Sequence, residues 1–276
     1  MKERVELSIY RQDPATEEKG HYDNFEVPYV EGMVVLDAVR YVQEKIDTTL
    51  SIRWNCKAAK CGSCAAEING TPKLMCKTRV EGLGRKVTVS PMGAYPLIKD
   101  LVTDVSENWV LLRRIPKFSP REDAGYPWKM QQAAIEKSLE FRKCIECFLC
   151  QDVCHVIREH YTPYFGPRHV VKVASLDTHP MDTLDRSKFM NKEGGLGFCN
   201  VVKCCTEVCP EHIHITDNAI IPEKEMAIDL QYDPIAALIR KRKKGGQPEE
   251  MKLNCPNFDS ILWAPAHNKE ILLLLL

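Results

Sequence analysis

Four cysteines at separations of three, three and four, Cys144-Ile-Glu-Cys147-Phe-Leu-Cys150-Gln-Asp-Val-Cys154, constrain this chain more than any other feature. In a run so spaced, three thiolates hold three corners of an iron–sulfur cube and the fourth reaches across to a second cluster. The run therefore predicts a partner, and Cys199-Asn-Val-Val202-Lys-Cys204-Cys205-Thr-Glu-Val-Cys209-Pro210 supplies it with the same offsets and one change. Val202 stands where the second cysteine is due. Crossed ligation gives Cys144, Cys147, Cys150 and Cys209 to one cluster, a set that suits [4Fe-4S]. It leaves Cys154, Cys199 and Cys205 for the other. Valine cannot bind iron, so that set suits [3Fe-4S]. Cys204 becomes a ligand instead if the loop bends differently.

Thirteen cysteines in 276 residues is a large number, and clustered cysteines in a chain of this length read as metal ligands rather than as a disulfide scaffold. The start, Met1-Lys-Glu-Arg-Val-Glu, carries acids and no apolar core, unlike a secretory signal or transit peptide. The 38 basic and 38 acidic residues balance, which argues against a polyanionic partner such as nucleic acid. No stretch approaches the ~18–20 apolar residues of a membrane span. The terminal Ile271-Leu-Leu-Leu-Leu-Leu276 is too short to cross and reads as a buried tail, a partner contact or a membrane-surface contact. Membrane association is expected through partner subunits. The length suits about two domains at ~100–200 residues each.

The first half alternates. Val5, Leu7 and Ile9 alternate with Glu6, Ser8 and Tyr10, and Phe25, Val27 and Tyr29 continue the pattern, predicting two strands. Val35, Val39, Val42 and Ile46 then share one helical face. Ile52 and Trp54 lead into Cys56-Lys-Ala-Ala-Lys-Cys61-Gly62-Ser63-Cys64. Separations of five and three, with one later cysteine, match the plant-type [2Fe-2S] ferredoxin pattern. Cys76 is the later cysteine, and Asn69-Gly70 predicts a hairpin that returns it towards Cys64. Gly62, Ala58, Ala59 and Ser63 are small enough to let backbone amides approach sulfide. Lys57 and Lys60 offer positive charge nearby. Val87 and Val89 predict a last strand. Zinc is the alternative, but zinc sites favour paired Cys-x2–4-Cys knuckles.

The second half reads as helical. Leu97, Leu101, Val105, Trp109 and Leu112 predict one helix over 97–112, and a second is expected over 128–142, delivering Cys144. Pro116, Pro120, Gly125 and Pro127 mark a surface connection between them. Pro163, Pro167, Pro180 and Gly194-Gly195 separate short helices after Cys154. Asp233-Pro234 starts a further helix that Gly245 stops. The basic run Arg240-Lys-Arg-Lys-Lys244 at its end reads first as a solvated terminus, and second as a contact for anionic lipid.

A plant-type [2Fe-2S] domain followed by a helical two-cluster domain resembles the iron–sulfur subunit of succinate dehydrogenase or quinol:fumarate reductase. The resemblance covers roughly residues 1–245. It rests on Cys56, Cys61, Cys64 and Cys76, on the 144–154 run, on Cys199, Cys205 and Cys209-Pro210, and on the valine at 202. Some members carry Asp at the position of Cys64. The resemblance implies an α+β chain: a β-grasp [2Fe-2S] ferredoxin domain over 1–110 and an all-α ferredoxin-type domain over 111–245, with a tail over 246–276 that it does not cover. It implies an electron-transfer subunit of respiratory and tricarboxylic acid cycle metabolism, with no catalytic residue of its own. Electrons would pass from an FAD-bearing flavoprotein through the three clusters to a quinone such as menaquinone. Membrane-anchor subunits would hold the chain, peripherally, at the cytoplasmic face of the bacterial inner membrane. Fumarate reductase, or another flavin-linked oxidoreductase, is the alternative. Family members commonly carry Pro and a nearby Trp after the first run and His after Cys199; here His155-Val156-Ile157-Arg158 and Asn200 occupy those places. His155, Arg158 and His160 are the candidates for replacing those contacts to quinone. Cys204 and Cys255 are left as spare thiols.

Overall fold

The structure is a computed structural model, and it describes residues 4–232 except Glu17, Ala124, Tyr161 and Thr162. The expected helix after Asp233, the basic run at 240–244, Cys255 and the tail lie outside the described residues.

Strand β1 (Arg4–Arg11) has Val5, Leu7 and Ile9 buried. It pairs antiparallel with β2 (His21–Pro28), Leu7 opposite Phe25. Strands β3 (Ala65–Ile68) and β4 (Thr71–Leu74) form the hairpin at Asn69-Gly70, both left-handed (φ +51° and +74°), as the two-residue turn requires. Strand β5 (Lys86–Ser90) runs parallel to β1 and antiparallel to β3, giving the order β2-β1-β5-β3-β4. Helix α1 (Val35–Lys45) lays Leu36, Val39 and Val42 into the core. Its first amides have no intrahelical partner. Val35 N–H donates to Thr78 O at 2.9 Å and Leu36 N–H to Met75 O at 3.1 Å, so the helix start is tied to the segment that carries Cys76.

The single helix expected over 97–112 is instead a short hairpin, β6 (Leu97–Lys99) and β7 (Val102–Thr103), followed by α2 (Ser106–Arg114). Asp100 explains the difference. It sits left-handed (φ +48°) and buried, and its carboxylate accepts Gln12 N–H, Ser51 N–H and Arg11 Nε at 3.1, 2.8 and 3.1 Å. Those tertiary bonds outweigh the local apolar spacing. Asp104 then accepts the Ser106 N–H at 2.8 Å where α2 begins. The helix expected from 128 begins only at Gln132, as α3 (Gln132–Phe141).

The helical part continues with α4 (Leu149–Asp152), α5 (His155–His160), α6 (Pro167–Asp177), α7 (Ser187–Lys192), α8 (Cys204–Glu207), a π-helical turn (Ile215–Ile220) and α9 (Ile221–Tyr232). Phe141, Val170, Val173, Met190, Leu196, Ile213 and Ile215 build its core. Arg186 is fully buried within it. It donates to the Pro116 and Lys117 carbonyls at 2.8 Å each and pairs with Asp177 at 2.5 Å and Asp182 at 2.8 Å. Such pairing offsets the cost of burying the charge. These bonds tie the proline-rich connection to the helices.

Candidate metal centres

The loop between α1 and β3 brings its thiols together by turning left-handed at Lys57, Ala59 and Gly62 (φ +53°, +53° and +70°). Cys56 Sγ accepts the amides of Ala58 and Lys60 at 3.3 and 3.4 Å. Burial pushes the Cys61 thiol up, but hydrogen bonds with Ser63 and Cys56 outweigh it and hold the thiol down at about 6. At the base of the hairpin, the Met75 amide donates to Cys64 O at 3.0 Å, and the Cys64 and Cys76 thiols meet. Burial pushes Cys64 up to about 12, with the Cys76 amide pulling it down and the Cys76 thiol pushing it up. Thiols must be deprotonated to bind metal, so a site of this kind releases protons as it loads. The lysines of the loop are paired with acids: Lys57 with Asp37 at 2.8 Å and Lys60 with Glu211 at 3.3 Å. Their charge is therefore largely answered before it reaches the thiols.

The second set also converges. Cys144, Cys147, Cys150 and Cys209 line one cavity, with Ile145, Phe148, Arg168, Val171, Ile213 and Ile215. Burial pushes Cys147 up to about 12 and Cys150 well above the ordinary thiol range. Cys209 Sγ accepts the Ile213 amide at 3.4 Å. The third set has its own cavity, here the third cavity, lined by Cys154, Cys199 and Cys205 with Cys204, Val202, His155, Asn200 and Thr216. Beside these thiols lies Tyr164, 5% exposed, whose hydroxyl makes no hydrogen bond of normal geometry in the protein.

The two runs repeat in backbone as well as in sequence. In the first, Glu146 and Phe148 are left-handed and α4 follows; in the second, Val201 and Lys203 are left-handed and α8 follows. Counted from Cys144 and Cys199, these features fall at identical offsets. Val202 thus takes the place of Cys147, Cys205 that of Cys150, and Cys204 that of Leu149. The Cys204 thiol points to the Val153 carbonyl at 3.7 Å.

The donor sets fit iron–sulfur clusters. Soft thiolates in apolar cavities, with amides directed at sulfur, are what such clusters use. Among the described residues no three His, Cys, Asp or Glu side chains are arranged to hold a single metal ion.

The first loop packs onto the second cavity. A Cβ on Gly62 would lie 2.7 Å from Cys147 Cα. Lys77 Nζ donates to Pro210 O at 2.7 Å, so Cys76 and Cys209 are also tied through their neighbours. Nothing in the sequence announced this contact, in which glycine serves close approach to Cys147. Arg168 and Tyr164 were likewise not legible, lying apart in sequence from the cysteines they accompany.

The three quinone candidates do not form one group. His155 is at the third cavity, its Nε2 3.1 Å from Asn200 Nδ2. Arg158 is absent from that cavity's lining and turns towards the sheet, paired with Glu67 and 3.7 Å from Asp152. The side chain of His160 lies outside the described residues.

Residues 6–110 match the family described as 2Fe-2S iron-sulfur cluster binding domain, and residues 140–213 match the 4Fe-4S dicluster domain. Fold and matches together define a two-module iron–sulfur electron-transfer protein. The fumarate reductase iron-sulfur subunit of Mycobacterium tuberculosis is 31% identical over 222 residues, 77% of this chain and 89% of that protein. The subunit of the same name from Haemophilus influenzae is 29% identical over 225 residues, 76% and 88% of the two. A chain of the solved Mycobacterium smegmatis Sdh1 complex in the apo form is 49% identical with a TM-score of 0.81, covering 85% of this chain and 100% of that one. The chain belongs to the family of iron–sulfur subunits of fumarate reductase and succinate dehydrogenase complexes.

Proposed function

We propose that this chain carries electrons between an FAD-bearing flavoprotein subunit and a membrane quinone, as the iron–sulfur subunit of a succinate:quinone oxidoreductase. Residues 1–110 form the module that meets the flavoprotein, and 111–245 the module that meets the anchor and quinone. Cys56, Cys61, Cys64 and Cys76 hold [2Fe-2S]. Cys144, Cys147, Cys150 and Cys209 hold [4Fe-4S]. Cys154, Cys199 and Cys205 hold [3Fe-4S]. When bound, these clusters supply one-electron redox chemistry. The observation that carries the reading is the repeated backbone of the two runs, with Val202 at the offset of Cys147. The same register supports Cys205 over Cys204 as the ligand.

The protein's own residues set the path. Gly62 brings the first loop onto Cys147. Helix α4 holds Cys150, and Cys154 follows two residues after its end. The chain places the three centres in series and contributes no acid, base or nucleophile to the carbon chemistry. His155 and Asn200, which line the third cavity with Lys203 and Thr216, are the groups we assign to a quinone carbonyl. Among the described residues no helix is long and apolar enough to cross a membrane. Attachment at the cytoplasmic face through anchor subunits is part of the proposal. Electrons from a quinol to fumarate would use the same path in reverse.

The test is anaerobic purification of the complex with metal and sulfide analysis and electron paramagnetic resonance. Iron with acid-labile sulfide, and a three-iron signal in the oxidised state, are expected. Stoichiometric zinc without sulfide overturns every cluster assignment, and a four-iron signal from the third centre overturns the role given to Val202.

A further inference from the structure

The wall of the second cavity contains a fixed positive charge. Arg168, the second residue of α6, lines the cavity beside all four thiols and is 5% exposed. Arginine does not lose its proton in proteins, so this charge is permanent. One face of the guanidinium is answered: Nη2 pairs with Glu146, a partly exposed carboxylate between Cys144 and Cys147. The backbone is held too, the Arg168 N–H donating to Gln151 Oε1 at 3.3 Å. The buried Nε, however, has no acceptor in the protein. A buried donor left unmade is costly, and a guanidinium more so. The rest of the wall is cysteine and apolar, apart from Glu211 at the rim, and Glu211 is paired with Lys60.

We propose that Arg168 is the residue that sets the reduction potential of the second centre, raising it, and that Glu146 holds it back by partly cancelling the same charge. The proposal rests on the reading of this cavity as the four-iron site. Reduction adds one electron to the cluster, with no bond made or broken and no proton taken up. A fixed cation at the wall stabilises the more negative, reduced form more than the oxidised one. A cluster bound in this cavity would offer sulfur as an acceptor for Nε, and hydrogen bonds to sulfur act in the same direction. Four thiolates alone make a centre hard to reduce. The arginine offsets that at the centre that stands between the other two.

The experiment is a redox titration of the purified complex, followed through the paramagnetic signal of the reduced second centre, for three variants. Arg168→Gln is expected to lower the reduced-to-oxidised ratio at fixed poise about tenfold, which is about 59 mV for one electron. Arg168→Lys, keeping charge, retains most of the native ratio. Glu146→Gln moves the ratio the other way. The first and third centres stay where they are. Ratios within about twofold of native in both charge variants, or shifts of the same sign in both, overturn the proposal. If Arg168→Gln fails to assemble the centre, the sign of the shift in Glu146→Gln decides. An unmodified complex with no four-iron signal overturns the reading of the cavity itself, an outcome distinct from a signal that is present and unmoved.

Discussion

Val202 is 60% exposed and yet lines the third cavity, so a change there meets little packing resistance. Substitution by cysteine costs no more than about 0.5 kcal/mol of stability on the usual scale for surface positions. It restores the offset that Cys147 has in the first run. Val202→Cys is expected to convert the three-iron signal of the oxidised complex towards a four-iron centre; an undiminished three-iron signal places residue 202 away from the missing corner. Tyr164 makes the complementary case. Its hydroxyl is buried without a normal partner beside Cys199, and burial pushes its ionisation far up, so it stays a neutral donor. Removing one donor from a cluster's surroundings lowers the potential. Tyr164→Phe fills the same space and should shift the third centre alone to lower potential in a redox titration, with no loss of iron. The cysteine offsets are open to a sequence reading because they depend only on local spacing. Tyr164 and Arg168 were not, since nothing near them in sequence distinguishes a tyrosine or arginine at a cluster from one on a surface.

At the scale of elements, legibility followed the same division. Strands β1, β2 and β5 and helix α1 appear where alternation and helical spacing put them, because each buries one face and the pattern records that face. The segment 97–112 misled, because its apolar stripe is helical while Asp100, a polar residue, takes three tertiary hydrogen bonds and turns the chain. The first loop shows how an element can be recognised and its environment missed. Gly62 has φ +70° and no room for a Cβ against Cys147. A non-glycine residue there costs about 1–2 kcal/mol from conformation alone, before the clash with backbone is relieved. Gly62→Ala is therefore expected to lower the melting temperature and to move the loop away from the second centre. Rapid-freeze resonance measurements should show slower passage of electrons from the first centre to the second, with both signals retained. Native transfer rates in that variant would mean the contact has no part in the path.

Across the whole molecule, the two-module order was legible from cysteines alone, whereas the means of holding the helical module together was not. One buried arginine gathers it. Arg186 binds the connection through Pro116 and Lys117, α6 through Asp177, and the loop before α7 through Asp182. Helix α9 adds Glu223, 1% exposed, whose Oε2 has no partner, while its neighbour Lys224 donates to Cys199 O at 2.7 Å. The groups acting on Glu223 are Asp177, Asp185 and Arg186. Burial, then repulsion from Asp177 and Asp185, raises it to about 8 against the pull of Arg186. Burial likewise raises Asp177 to about 6, against its hydrogen bond to Arg186. A carboxyl whose folded pKa lies above its unfolded one favours the fold while protonated. Its contribution is complete below the unfolded value near 4.5 and is lost as pH rises through the folded value near 8, at up to roughly 1.4 kcal/mol per unit. Between pH 6 and 9 the complex should therefore lose stability to denaturant. Glu223→Gln, neutral throughout, should lose less over the same range. Parallel curves for the two proteins would place the ionisation of Glu223 at its ordinary value and leave Arg186 able to hold all of its surrounding acids charged.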